Sequence, residues 1–186
     1  SLKSGLYSPE VIAGEITAWN TAQQLAQQGL STPTAYAAIQ QYVDVDNLID
    51  YFITNMYVGN FDWDKENWYA ARKREPGAGF VFFSWDAEQS MQSVGSNQTS
   101  RANPNAPSRF YSKLSENPEF RLRFADHLHR HAHNGGVLTP KRVAQMFRAR
   151  AQEIDRAIVG ESARWADSIY RTNDPRTRDR EWLTEL

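Results

Sequence analysis

The sequence predicts an α+β fold that is mainly helical and carries one β-hairpin near its centre. Three observations support this prediction. Proline repeatedly follows a capping side chain, which is typical of helix starts. Apolar residues recur at helical spacing over long stretches before and after the centre of the chain. Between those stretches, two short runs rich in aromatic and β-branched residues flank a Gly/Pro turn, which indicates a hairpin.

The composition is that of a globular protein, with 40% apolar and 23% charged residues in a chain of 186. That length predicts one domain over 1–186 with a real core. A formal net charge of −1 gives no reason to expect nucleic acid or an anionic membrane as partner. The longest apolar run is too short to span a membrane. Without cysteine, disulfides and thiolate metal sites are excluded.

Helix starts are marked by four capping pairs with proline, namely Ser8-Pro9, Thr32-Pro33, Asn117-Pro118 and Thr139-Pro140. From these pairs and the apolar spacing we predict helices over 14–29, 33–42, 45–58, 118–133 and 140–159, with helical turns near 108–115 and 177–185. Asp44 is expected to cap the third helix. The third and fifth helices each carry one broad apolar face, and we expect both faces to be buried.

The hairpin is predicted from runs over 68–74 and 80–85, separated by a Gly/Pro-containing loop over 75–79. Residues 80–83 do not alternate between apolar and polar, so we expect both faces of the second strand to be covered. The stretch that follows, 89–107, is rich in Ser, Asn and Gln. It has little to bury and is expected to form a flexible loop.

The chemically informative residues lie in an acidic turn before the hairpin and directly after it. Because antiparallel partners are close neighbours, the hairpin should return Asp86 beside Asn67. Carboxylates crowded in this way need a cation or a proton. Oxygen ligands of this kind suit Mg²⁺ or Mn²⁺. The residues expected to converge are Asp62, Asp64, Asn67, Asp86 and Glu88.

Phosphoryl transfer uses a similar set of groups: a carboxylate that orients the attacking hydroxyl, and an amide oxygen and second carboxylate that hold metal ions. In protein kinases the base precedes the metal-binding Asn by five positions, and a hairpin then leads to a metal-binding Asp. Asp62 precedes Asn67 by five positions, and the predicted hairpin leads to Asp86. Both the spacing and the order of elements match.

At these positions the sequence resembles the CotH (spore coat protein H) kinase family. The resemblance is carried by residues 44–51, the Gly59-Asn60-x-Asp62 turn, residues 67–69 and residues 83–88, with further likeness at 120–121 and 161–165. It covers most of the chain. It implies the helical C-lobe of an atypical protein kinase fold around the central hairpin. It also implies ATP as phosphate donor and Ser or Thr hydroxyls of secreted or coat proteins as acceptors, hence a secreted or cell-surface location.

By match to the family, Asp62 would be the catalytic base, and Asn67 and Asp86 would bind the metal and the nucleotide. Glu88 stands where the family often has a second acidic residue, usually Asp, and we expect it to be a further metal ligand. The kinase tripeptides His-Arg-Asp and Asp-Phe-Gly are both absent. The residues before the turn are expected to be helical, and their only lysine is Lys3. We therefore expect the nucleotide-covering lobe to be missing and this fragment alone to be incomplete as a kinase.

Other interpretations remain open from the residues alone. The chain could be a non-catalytic structural or assembly module of a cell-surface or coat protein, in which Asp62, Asn67 and Asp86 form a capped turn. Asp64 and Glu66 are interpreted as solvated loop charges. The four histidines at 127, 129, 131 and 133 are interpreted as part of a solvent-facing or partly packed helix, because no third zinc ligand is evident.

Overall fold

The computed structural model describes residues 1–5, 8–166 and 175–185. It divides the chain into two compact units, Ser1–His129 and Arg130–Leu186. The expectation of one domain over 1–186 stays a prediction. The sheet and the acidic turn both lie in the first unit, so the candidate site is built there.

The predicted mainly helical α+β class is confirmed. The helices are α1 (Thr17–Gln28), α2 (Pro33–Ile39), α3 (Val45–Tyr57), α4 (Pro107–Leu114), α5 (Pro118–Ala132), α6 (Pro140–Trp165) and α7 (Leu183–Glu185), with a π-helical turn at Arg178–Trp182. Capping operates as expected for α3, because the Asp44 carboxylate accepts a hydrogen bond from Asn47 N at 3.0 Å. Among residues 1–5, 8–166 and 175–185, no helix is both long enough and apolar enough to cross a bilayer.

Four short strands form an antiparallel sheet in the order β2-β1-β3-β4. They are β1 (Leu2–Lys3), β2 (Glu10–Val11), β3 (Trp68–Ala71) and β4 (Val81–Ser84). The predicted hairpin is β3-β4, with Trp68 opposite Ser84. The two N-terminal strands were not predicted, and the interpretation of Ser8-Pro9 as a helix start is wrong, since this pair leads into β2. Strands of two residues show no period in the sequence, so they are recognised only by their pairing, β1 with β3 and β2 with β1.

The N-terminal end of α3 holds the outer edge of the hairpin. The Asn47 side chain accepts a hydrogen bond from Phe82 N at 2.6 Å and donates one to Phe82 O at 3.4 Å. Just before α3, Tyr42 O accepts from Phe80 N at 2.7 Å, and Asp44 N donates to Phe80 O at 3.0 Å. These bonds satisfy backbone groups that an edge strand would otherwise expose. As a result, the hairpin and α3 have a defined position relative to each other.

The prediction that both faces of the second strand are covered is wrong. Phe80 and Phe82 are buried, whereas Phe83 is 51% exposed. The strand therefore follows the ordinary period of two despite its continuous aromatic sequence. Its inward side joins the aromatic core of the first unit, where Trp19 stacks on Trp68 with ring centroids 5.1 Å apart.

Helix α6 differs from the prediction of a buried apolar face. Of its residues only Ala151 is buried, while Phe147 and Ile154 are 46% and 47% exposed. The helix also extends six residues beyond its predicted end. Apolar spacing shows which face of a helix is hydrophobic, but a covering surface has to come from tertiary packing.

Candidate functional site

The acidic turn links the end of α3 to the start of β3. Gly59, in the left-handed region at φ 61°, ends the helix. The chain then runs through residues 60–67 and enters β3 at Trp68. At the open end of the hairpin, where β3 begins and β4 ends, Trp85 N donates to Asn67 O at 3.1 Å, which extends the pairing past β4. The next residue is Asp86, so the hairpin delivers it to the end of the acidic turn.

A buried network of amide and hydroxyl groups joins the turn to the hairpin. Asn60 donates to the Asn55 side-chain oxygen at 2.9 Å, and Asn55 donates to Ser84 Oγ at 3.1 Å. Both asparagines are almost fully buried, so these bonds are costly to leave unmade. Asn55 was not among the residues predicted for the site, although an Asn on the apolar face of α3 is a signal of a buried polar role.

Three of the predicted site residues meet around one amide nitrogen. Asn67 Nδ2 donates to Asp62 Oδ2 at 2.9 Å and to the backbone oxygen of Asp86 at 3.1 Å. The fourth, Glu88, is close enough for its charge to act on Asp62. The structure thus brings together residues separated by 19 positions in the chain, while their chemical roles stay predictions.

Both Asn67 and Asp86 have left-handed backbone conformations, with φ of 59° and 48°. Asn and Asp are the side chains best able to adopt this region, because their short polar groups bond locally. Non-glycine residues in such conformations tend to cluster at functional sites. Here the conformations place the Asn67 amide against Asp86 O, so they are part of the site's construction.

The Asp62 carboxyl group is half-buried, and its two oxygens differ. Oδ2 accepts the Asn67 bond, whereas Oδ1 is buried and has no hydrogen-bond partner among the residues that the structure describes. Burial raises the pKa of Asp62 above its ordinary value, and the charges of Glu88 and Glu66 add to this. The backbone amide of Asp62 itself and the Asn67 bond oppose the rise in pKa. A carboxylate with a raised pKa and an unpaired oxygen is suited to accept a proton.

The remaining donors fit a hard divalent cation. The carboxylates of Asp86 and Glu88 are exposed, and in the described part of the chain neither has an ion pair or hydrogen bond. The Asn67 amide nitrogen is already used twice, which leaves its amide oxygen as an acceptor. Oxygen donors of this type are the ligands that Mg²⁺ and Mn²⁺ prefer. The residues present are therefore compatible with the metal that the resemblance implies.

Comparison with known proteins gives one match. The model of the family described as CotH kinase protein matches residues 16–181. The chain belongs to the CotH kinase family. No curated protein and no solved structure matches the chain, so the kinase-like fold stays a prediction. The matched range includes Asp62, Asn67, Asp86 and Glu88, and the resemblance seen in the sequence is confirmed.

In this CotH family chain, the interpretation of Asp64 as a solvated loop charge is wrong. Its side chain is 0% exposed, and Oδ2 accepts hydrogen bonds from Asn103 Nδ2 at 2.6 Å and Ser108 Oγ at 2.8 Å. Arg101 lies 4.0 Å from the other oxygen. Glu66, by contrast, is exposed as expected. The partners of Asp64 lie about 40 residues further along the chain, so no local sequence pattern predicts them.

The histidine run contributes one buried residue to the first unit of the CotH chain. His127 is 8% exposed, and its ring nitrogens lie 2.7 Å from Asp50 Oδ1 and 3.0 Å from Asp46 Oδ1. Arg123 Nε also donates to Asp46 at 2.6 Å. These contacts join α5 to α3. Partial packing of the histidine helix is therefore observed. Asp46 lies in the first turn of α3, where its negative charge also favours the start of that helix.

Proposed function

We propose that the chain is the catalytic-loop portion of a CotH-type atypical protein kinase that uses ATP and Mg²⁺ or Mn²⁺. The observation that carries this proposal is a pair of hydrogen bonds from the Asn67 amide nitrogen. One goes to the Asp62 carboxylate at 2.9 Å and the other to the Asp86 backbone oxygen at 3.1 Å. These bonds hold a candidate base next to candidate metal ligands, and phosphoryl transfer needs both kinds of group in one place. The helical C-lobe of a kinase-like fold is part of the same proposal.

In this proposal Asp62 receives the proton of the acceptor hydroxyl. The Ser or Thr oxygen forms a bond to the γ-phosphorus of ATP, and the bond from that phosphorus to the bridging oxygen of ADP breaks. ADP leaves with the electron pair of that bond. The proton moves to the Asp62 carboxylate, whose raised pKa makes it a better acceptor near neutral pH than an ordinary Asp.

Asn67, through its amide oxygen, and the carboxylates of Asp86 and Glu88 would hold the metal. When bound, a divalent ion neutralises charge on the phosphates and helps to align them. The residues of the chain supply the positioning, since the left-handed conformations at Asn67 and Asp86 orient the two side chains. The acceptors that the family suggests are secreted, coat or cell-surface proteins, and we propose the same location for this chain.

A second candidate function is a non-catalytic structural or assembly module. One observation favours it: the Asn67 amide bonds to Asp62 and Asp86 also describe a closed, capped turn that needs no metal. The two functions differ in whether the exposed Asp86 and Glu88 carboxylates bind a divalent ion. Metal affinity therefore separates them, without depending on the identity of an acceptor.

The test is calorimetric titration of Mn²⁺ into the wild-type chain, Asp86→Asn and Asp126→Asn. Asn tolerates the left-handed conformation at position 86, so that variant removes charge without backbone strain. Asp126 is exposed on α5 and provides the matched loss of one carboxylate. We expect Asp86→Asn to weaken binding at least about tenfold and Asp126→Asn to leave it unchanged. Absence of Mn²⁺ binding in the wild type, or equal affinities in all three, would support the structural module instead.

A further inference from the structure

Residues 89–107, called here the polar segment, lie beside the acidic turn and carry Arg101. We propose that Arg101 is a positioning residue for the candidate site, which holds the backbone that presents Asp62. This inference rests on the proposed function and extends it to a residue outside the acidic turn and the hairpin. The motif that points to the kinase family does not include Arg101.

The contact that defines the role is made to the residue directly before Asp62. Arg101 Nη2 donates to Phe61 O at 2.7 Å, and the guanidinium carbon lies 5.1 Å from the centre of the Phe61 ring. The Phe61 carbonyl and the Asp62 N–H belong to one planar peptide unit. Holding that oxygen therefore restricts the rotation that would swing the Asp62 side chain away from Asn67.

The remaining donors of Arg101 connect the same guanidinium to two more groups. Nε donates to Gln98 Oε1 at 3.0 Å, and Nη2 also donates to that oxygen. Nη1 lies 4.0 Å from Asp64 Oδ1. The side chain is 27% exposed, whereas that of Asp64 is fully buried. A planar fork with five N–H groups can reach these partners together, which a single ammonium group does not reproduce.

The polar segment also holds the acidic turn on either side of Asp62. Before it, Gln89 O accepts from Phe61 N at 3.0 Å, and Met91 N donates to Val58 O at 2.7 Å. After it, Asn103 and Ser108, the latter in α4, hold Asp64. Residues 89–106 contain no helix or strand, so their place against the turn depends on side-chain and loop bonds such as these and the Arg101 contacts.

The experiment compares Arg101→Lys with the matched change Arg109→Lys in the whole 186-residue chain. Arg109 lies on α4 in the same unit, and its side chain makes no hydrogen bond or ion pair in the described part of the protein. Mn²⁺ affinity and amide hydrogen exchange at Phe61 and Met91 are measured well below the melting temperature of each variant. A purely stabilising role would lower the melting temperature without changing the affinity of the folded chain.

We expect Arg101→Lys to bind Mn²⁺ about tenfold more weakly, because Asp62 accepts the hydrogen bond that fixes the amide of Asn67, one of the proposed metal ligands. Exchange at Phe61 and Met91 should be about tenfold faster, and Arg109→Lys should change neither quantity. If Arg101→Lys fails to fold, Gln98→Met is used instead. This variant removes the acceptor of two Arg101 hydrogen bonds while keeping a side chain of similar volume. The expected direction is the same.

Two results would overturn the inference, and they can be told apart. If the wild type binds Mn²⁺ and Arg101→Lys binds it equally well, Arg101 has no positioning role and the proposed function stands. If the wild type binds no Mn²⁺, the proposed function fails and the positioning role fails with it. Faster amide exchange in Arg101→Lys with unchanged Mn²⁺ affinity counts as the first result. Arg101 would then attach the polar segment to the turn without positioning the candidate site.

Discussion

The acidic turn with its hairpin and the polar segment contribute to one site in different ways. In the turn and hairpin, local patterns place Asp62, Asn67 and Asp86: a helix end, a five-residue spacing and a strand pair. The polar segment has no such pattern, yet its Arg101 and Asn103 reach Phe61 and Asp64. Candidate site residues can therefore be predicted from local spacing, whereas the residues that contact them from distant parts of the chain are found only in the tertiary structure.

The largest expected effect concerns the candidate base in the turn. Asp62→Asn should lower γ-phosphate transfer by about 10²–10⁴-fold, the usual contribution of a general base, because the amide cannot take the hydroxyl proton. It is measured with labelled ATP and a generic protein acceptor, in the longest form of the protein that carries this sequence. Circular dichroism controls for folding, and Asp126→Asn for a charge change elsewhere. Equal labelling by Asp62→Asn and wild type would remove Asp62 from the mechanism.

A smaller effect, on stability, tests the attachment of the polar segment. Asp64→Ala should lower the free energy of unfolding by about 3 kcal/mol, because it leaves Asn103, Ser108 and Arg101 without their buried partner. Glu66→Ala, two residues away and exposed, should change it by less than about 0.5 kcal/mol. Urea unfolding of both variants measures the difference. Similar values for the two would mean that Asp64 is no more important to the fold than a surface charge.

The smallest effect is a pH dependence of stability that originates in the turn. Since the pKa of Asp62 is raised in the folded state, ionisation of this group opposes folding above that pKa, and the penalty disappears as the pH falls through it. Asp62→Asn should therefore melt slightly higher than wild type near pH 7, by about 2 °C or less. The difference should shrink on acidification. A difference that grows towards acidic pH would contradict the raised pKa.

Much of the fold could be predicted because its signals are local. The α3 cap at Asp44, the β3-β4 hairpin and the return of Asp86 beside Asn67 each follow from residues close in sequence or from strand pairing. The two N-terminal strands could not be predicted, because each has only two residues and is formed by long-range pairing, β1 with β3 and β2 with β1. The exposure of Phe147 and Ile154 on α6 was also missed, since spacing identifies an apolar face and says nothing of what covers it.

For the candidate site, the sequence by itself determined which residue types stand at which spacing, and with them the membership of the CotH kinase family. Those are properties of short segments, because helix, turn and hairpin geometry repeat wherever the same local pattern occurs. Only the tertiary structure decided that Asp64 is buried, that Asn55 and Asn60 join the turn to the hairpin, and that Arg101 lies on Phe61. Such contacts depend on which distant side chains packing brings within hydrogen-bond range, and no local period encodes that.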